Sequence, residues 1–198
     1  MMAISIIAAY LLGSIPFGYL FVRIFVKSDI RESGSGGTGA TNVSRKLGLK
    51  FGAIVALLDI LKGYFAVAIA NALVPNEPIV IPLCAIIAVL GHIYPVWIGF
   101  KGGKGVSTAF GVALFISPIG ALAALAAFAM AYATSRFVSV GSLSGVIVFA
   151  ISYFAFPNLT GIQTIWEKLF GVVLACLIFF THRKNFMRLF KGKELKVR

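Results

Sequence analysis

Apolar runs, each close to the length that crosses a bilayer, follow one another along this chain with short polar links between them. A helix needs roughly 20 consecutive apolar residues to span the hydrocarbon, because every backbone amide has to be satisfied inside the segment. Residues 2–26, 51–74 and 79–100 meet that length. With 60% hydrophobic residues, six acids and a mean hydropathy of +0.99, the chain reads as an integral membrane protein and not a soluble domain.

The formal charge of +12 raises nucleic acid as a partner. Its distribution argues otherwise, since the cations fall in short segments between apolar runs, as the positive-inside pattern requires. An anionic membrane surface or an anionic substrate is the expected partner. Cys84 and Cys176 lie in separate apolar runs without metal-ligand spacing and read as small hydrophobes. The first 26 residues lack a basic start and a small-x-small cleavage site and carry Arg23 and Lys27 near their far end, which predicts a retained helix.

In chain order, residues 13–19 contain Pro16 among small residues, a pattern for a kinked packing helix. Residues 27–50 form a basic loop. The second span carries Asp59 and Lys62, whose i,i+3 spacing puts them on one helix face where they can neutralise each other. They read either as a structural ion pair or as support for a substrate-binding cation. A turn without cations at 75–78 leads into the third span. The block 107–134 is long for one span and short for two, and Ser117-Pro118 divides it. Because Arg136 then returns to the cationic side, the block is expected to be two short helices turning at Pro118. Residues 143–156 go out, 157–168 turn, and 169–181 come back to a tail of seven cations. Seven helical segments, N-terminus outside and C-terminus cytoplasmic, place fifteen of the eighteen cations inside. The expected fold is therefore all-α, one integral-membrane domain over residues 1–198.

Within this frame the chemistry concentrates on one face. Residues 34–42, Gly-Ser-Gly-Gly-Thr-Gly-Ala-Thr-Asn, are small and hydroxylated, lie between Arg31 and Arg45, and suit a backbone nest for an anion. Residues 99–105, Gly-Phe-Lys-Gly-Gly-Lys-Gly, repeat that chemistry, and the expected fold brings the two loops together. Residues 136–142 and 182–188 share the face. Residues 34–39 match G-x-G-x-x-G, but no strand precedes them, so a dinucleotide fold is excluded. Residues 99–105 have the wrong spacing for a Walker loop, and neither His92 nor His182 has an acid four residues later.

Taken together, Gly13-Ser-Ile-Pro-Phe-Gly18, the Arg31 to Arg45 pattern, Asp59-x-x-Lys-Gly63, Gly91-His-x-x-Pro95, the stretch from Phe100 through Lys-Gly-Gly-Lys-Gly-Val-Ser to Thr108, Ser139-Val-Gly-Ser142 and His182-Arg-x-Asn185 resemble the bacterial acyl-phosphate:glycerol-3-phosphate acyltransferases, the PlsY family. The likeness runs from residue 13 to about residue 188. One departure is Gly37, where the family usually has Asn; a backbone amide or Thr38 has to supply any contact made there. The resemblance implies acyl transfer from acyl phosphate to the 1-hydroxyl of glycerol 3-phosphate, giving lysophosphatidic acid and phosphate, with no cofactor or metal, at the cytoplasmic face of a bacterial inner membrane. Its partners are the two substrates and the bilayer, without nucleic acid, and a monomer is plausible.

Two phosphate groups brought close repel unless cations surround them. Arg45 can grip phosphate oxygens bidentately and Lys104 supplies a compact charge between glycines. Glycerol 3-phosphate is assigned Arg45, Lys104, Ser142, His182 and Asn185. Acyl phosphate is assigned Gly34, Ser35, Gly36, Gly39, Thr41 and Asn42. Ser35, Thr41, Asn42, Arg45 and Lys104 are the candidate catalytic groups, with Asp59, Lys62, His92, Lys101, Gly102, Gly103 and Gly105 in support. His92 reads equally as a structural hydrogen-bonding residue and Lys101 as an interface cation. A carrier or channel for a phosphate-bearing anion is the alternative from another class, disfavoured because the outer turns are nearly bare of polar groups.

Overall fold

The computed structural model describes residues 1–75, 77–161 and 164–196. Parts of the expected turns at 75–78 and 157–168, and the tail cation Arg198, lie outside these residues. The described residues are helical, without a strand, and fall into two compact units, Met1–Val112 and Ala113–Val197.

The first unit holds α1 (Met2–Ser14), α2 (Phe17–Val26), α3 (Ala40–Leu47), α4 (Leu49–Leu73), α5 (Val80–Ile93) and most of α6 (Val106–Ile116), with 3-10 turns at Ile30–Glu32 and Val96–Ile98. Pro16 acts as its chemistry dictates. It removes a donor and pushes the preceding residue out of the helical region, so Ile15 has ψ 115° and the first apolar run is two helices. Lipid tails are as apolar as the side chains, so close packing holds such helices together. Glycines provide it. A Cβ on Gly13 would strike the Ala88 carbonyl, and one on Gly91 would meet the Tyr10 carbonyl and Ser14 amide, so α1 and α5 cross with backbones nearly touching. Gly63 against Thr108 and Gly111 against Ile60 do the same for α4 and α6. Ala9, Ala66, Ala70, Val80, Cys84 and Ala88 form one buried cluster, where Cys84 packs as a small hydrophobe. Val22, Ile30, Val43 and Val55 form another, which fixes α2 and α3 to α4 beneath the glycine-rich loop.

The second unit holds α7 (Pro118–Ser135), α8 (Val138–Ala155), α9 (Pro157–Thr160), α10 (Ile165–Thr181) and α11 (Arg183–Phe190). The break at Ser117-Pro118 lies where the sequence puts it: Ser117 leaves the helical region, its hydroxyl accepts from the Gly120 amide, and Pro118 opens α7. The halves are nevertheless unequal, which corrects the expectation of two short helices. α6 has 11 residues and α7 has 18. Arg136 takes a left-handed conformation, φ 63°, to turn α7 into α8, and Gly141 and Gly145 let α8 approach Phe128 and Ala124 of α7.

Among the described residues five segments are long and apolar enough to cross a membrane: Met2–Val26, Leu49–Leu73, Val80–Ile98, Pro118–Ser135 and Val138–Ala155. A sixth arises if Ile165–Thr181 and Arg183–Phe190, bent by 53°, count together. α6 falls short, since 11 residues at about 1.5 Å each cover roughly half of the ~30 Å hydrocarbon.

Candidate functional site

The glycine-rich stretch after the turn Ile30–Glu32 is a loop built around one side chain. The buried Asn42 amide donates to the carbonyls of Ile30 (3.2 Å), Ser33 (2.9 Å) and Gly37 (2.9 Å), and its Oδ1 accepts from the Ser35 amide (3.1 Å). Gly34 and Gly36 take left-handed φ of 58° and 76°, which only glycine adopts at little cost. The Gly36 amide donates to Ser33 and the Thr38 amide to Gly102, so these donors, like that of Ser35, build the loop. What the loop presents comes next along the chain. Gly39 is the N-cap of α3 and has no side chain to cap it, so the positive end of that helix opens directly onto the loop. Thr41 and Arg45 lie one turn apart on one face of α3, and Asn42 and Val43 between them are buried. The hydroxyls of Ser35 and Thr41 make no hydrogen bond among the described residues.

Arg31 fastens this loop to the second one. Its Nε and Nη2 grip the Asp29 carboxylate (3.0 and 2.6 Å), Nη1 donates to the Ile98 carbonyl (2.8 Å), and the guanidinium lies 5.3 Å from the Tyr19 ring centre. The hydrogen bonds from Arg31 hold the Asp29 carboxyl below the usual carboxylate range.

The second loop runs from the left-handed Gly99 and Phe100 to Gly105 and is stitched to the end of α5: the Gly102 amide donates to Ile93 and the Gly103 amide to His92, both at 3.1 Å. Gly102 and Gly103 have no room for a side chain, since a Cβ would strike the His92 carbonyl and the His92 ring, respectively. The two loops meet. Besides the Thr38 to Gly102 hydrogen bond of 3.4 Å, a Cβ on Gly37 would lie 3.7 Å from the Gly102 carbonyl and 4.0 Å from the Gly103 Cα. Gly18, in the sequence pattern around Pro16, permits this by leaving space for the Thr38 carbonyl. Lys104 follows Gly103 directly and is half-buried, whereas Lys101 is exposed.

Beneath the second loop lies a buried polar chain. Lys62 Nζ is 2.7 Å from Asp59 Oδ1 and donates to the Ile15 carbonyl at 2.7 Å. His92 Nδ1 is 3.5 Å from the same carboxylate oxygen and 3.1 Å from the Thr108 hydroxyl.

In the second unit His182 sits at the bend between α10 and α11, fully buried, with Nδ1 2.8 Å from the Ile178 carbonyl. That contact requires the proton on Nδ1. Ser142 is buried and donates to Val138 one turn back (2.9 Å). Asn185 donates to Glu194 Oε1 (2.6 Å), which also accepts from Ser139 (2.9 Å), while Oε2 accepts from Arg188 (3.0 Å). Burial pushes the Glu194 carboxyl up, but the hydrogen bonds from Asn185, Arg188 and Ser139 outweigh it and hold the group below its ordinary value. Sequence reasoning did not single out Glu194, although it had a signal as the lone acid in the cationic tail; Thr108 stood at the end of the Phe100 to Thr108 motif without an assigned role.

A family model described as glycerol-3-phosphate acyltransferase matches residues 3–192. The chain belongs to the glycerol-3-phosphate acyltransferase family. It is similar to the glycerol-3-phosphate acyltransferases of Anaeromyxobacter sp. (strain Fw109-5), at 42% identity over 98% of this chain and 96% of the relative, and of Myxococcus xanthus (strain DK1622), at 44% over 96% of each. Among solved structures it resembles PlsY, an integral membrane glycerol 3-phosphate acyltransferase, in the glycerol 3-phosphate form. That likeness has a TM-score of 0.91 at 37% identity and covers 98% of this chain and 94% of the other. The lysophosphatidic acid form of the same protein aligns with a TM-score of 0.87 at the same identity and coverage.

Proposed function

We propose that this chain transfers a fatty acyl group from an acyl phosphate to the 1-hydroxyl of sn-glycerol 3-phosphate, releasing lysophosphatidic acid and inorganic phosphate. The observation that carries the reading is the contact between the two glycine-rich loops, Thr38 and Gly37 against Gly102 and Gly103, beside the start of α3 and Lys104. A transfer between two phosphate-bearing molecules needs two anion-binding elements side by side with cations at both, because like charges a few ångströms apart otherwise repel by several kcal/mol.

The helical start after Gly39 and the hydroxyls of Ser35 and Thr41 hold the acyl phosphate and stabilise negative charge developing on the acyl oxygen. Gly34, Gly36 and Asn42 serve by shaping the loop. Arg45 and Lys104 neutralise phosphate, and Ser142, His182 and Asn185 bind glycerol 3-phosphate. The hydroxyl oxygen forms a bond to the acyl carbon, the bond from that carbon to the phosphate oxygen breaks, and the hydroxyl proton passes to a phosphate oxygen. A mixed anhydride is already activated, so no strong protein base is required. Seven helical segments with the N-terminus outside, both loops at the cytoplasmic face of a bacterial inner membrane, and a monomer complete the proposal; the fifteen cations of the inner links support that orientation.

Purified protein given glycerol 3-phosphate and palmitoyl phosphate is expected to release inorganic phosphate and lysophosphatidic acid in equal amounts. Acyl-CoA and acyl-carrier protein run in parallel identify the donor. Product from either thioester and none from palmitoyl phosphate overturns the donor assignment. If Lys104→Ala and Arg45→Ala each leave both KM values and kcat unchanged, the assigned site is wrong.

A further inference from the structure

The Asp59–Lys62 pair is hard to explain as a source of stability. Asp59 and Lys62 lie inside α4, a membrane-length helix, with side chains 2% and 3% exposed. A charge at such a depth costs on the order of 3 kcal/mol by insertion scales, and a buried ion pair generally does no better than a well-packed apolar pair of the same volume. An apolar face would pack α4 without that cost. Asp59 Oδ1 also lies 3.5 Å from His92 Nδ1, and His92 in turn holds the second glycine-rich loop at both ends. Its carbonyl accepts from Gly103, the residue before Lys104, and its Nδ1 meets the Thr108 hydroxyl, in the first turn of α6 after Lys104. Gly103 also lies against the His92 ring so closely that no Cβ would fit. The ammonium of Lys62 extends the chain to the Ile15 carbonyl at the break between α1 and α2. Four elements therefore converge on one short loop through groups that tolerate little displacement.

We propose that Asp59, Lys62 and Thr108 are positioning residues for the reaction, acting through His92 to fix the height and direction of Lys104. The inference rests on the reading that Lys104 binds the phosphate of glycerol 3-phosphate. Lys104 is a single point charge on a flexible stem, so its effect depends on where the backbone sets its Cα. A shift of about 1 Å in a binding loop is enough to cost large factors in rate or affinity. Asp59 and Lys62 set His92 from the bilayer side, and Thr108 sets it from the α6 side.

Thr108→Val is the mildest probe, being close to isosteric and removing one hydrogen bond. It is expected to raise the KM for glycerol 3-phosphate roughly fivefold, to leave the KM for acyl phosphate at its parental value, and to lower the melting temperature by only a few degrees. In a Lys104→Ala background the same substitution is expected to have no further effect on KM, because the two residues act as one unit. The paired substitution Asp59→Asn/Lys62→Met removes both charges together and is expected to melt near the parent while showing a KM for glycerol 3-phosphate raised about tenfold. A Thr108→Val enzyme with parental KM values, or one whose effect persists in full without Lys104, overturns the inference while leaving Lys104 in its role. A Lys104→Ala enzyme with a parental KM for glycerol 3-phosphate removes the role of Lys104 itself and the inference with it. A paired variant that recovers both stability and KM reduces the ion pair to packing and overturns its part. If that variant does not fold, Thr108→Val alone decides.

Discussion

Gly34 and Gly37 sit three residues apart in one loop and answer to opposite constraints. Gly34 has φ 58°, and a Cβ there would land on the Asn42 oxygen that organises the loop. Gly34→Ala is expected to lower stability by about 2–4 kcal/mol, from left-handed strain and the displaced Asn42, and to abolish activity. A thermal melt with an assay on the folded fraction checks it. Gly37 is free of positive φ, and its Cβ direction meets only ordinary contacts at 3.7–4.0 Å, over the second loop. Gly37→Asn is expected to fold, to gain about 0.5–1 kcal/mol from reduced freedom of the unfolded chain, and to keep kcat within about twofold. A large loss of activity would show that this site requires open space at residue 37. Arg31 makes a different use of chemistry, since a lysine cannot grip Asp29, reach Ile98 and lie on Tyr19 at once. Arg31→Lys is expected to raise both KM values severalfold, measured by initial rates, because it loosens the loops from each other.

At the scale of elements, the C-terminal helix and tail depend on Glu194. Its folded carboxyl titrates below the unfolded value, so its contribution to stability is complete above the unfolded range near pH 4.3 and is lost as pH falls through the lower folded value. Glu194→Gln is expected to lower the melting temperature at pH 7 by on the order of 4–8 °C, from about 2 kcal/mol of weakened charge-assisted hydrogen bonds. The difference between variant and parent is expected to shrink as pH is lowered through 4; melts at several pH values test this, and a constant difference would refute the linkage. The break between α6 and α7 was legible from two residues, Pro118 and the capping Ser117, whose hydroxyl also donates to the Thr160 carbonyl (2.9 Å).

For the whole molecule, orientation is the open quantity with a direct test. In a background without Cys84 and Cys176, Gly192→Cys is expected to react with an impermeant thiol reagent only in inside-out vesicles, and Gly161→Cys only in intact cells. The reverse pattern inverts the topology. The sequence by itself determined a helical membrane protein, the break at Ser117-Pro118, the pairing of Asp59 with Lys62 and the nature of the two glycine-rich loops. Apolar length, proline chemistry and i,i+3 spacing are properties of neighbours along the chain. Only the tertiary structure decided that α6 is shorter than a full span, that Asn42 turns inward to build the loop, that Glu194 holds Asn185, and that His92 joins Thr108 to Gly103 beside Asp59. Each of these depends on which side chain meets which backbone across a helix crossing, and glycine contacts such as Gly63 on Thr108 and Gly18 on Thr38 set those distances.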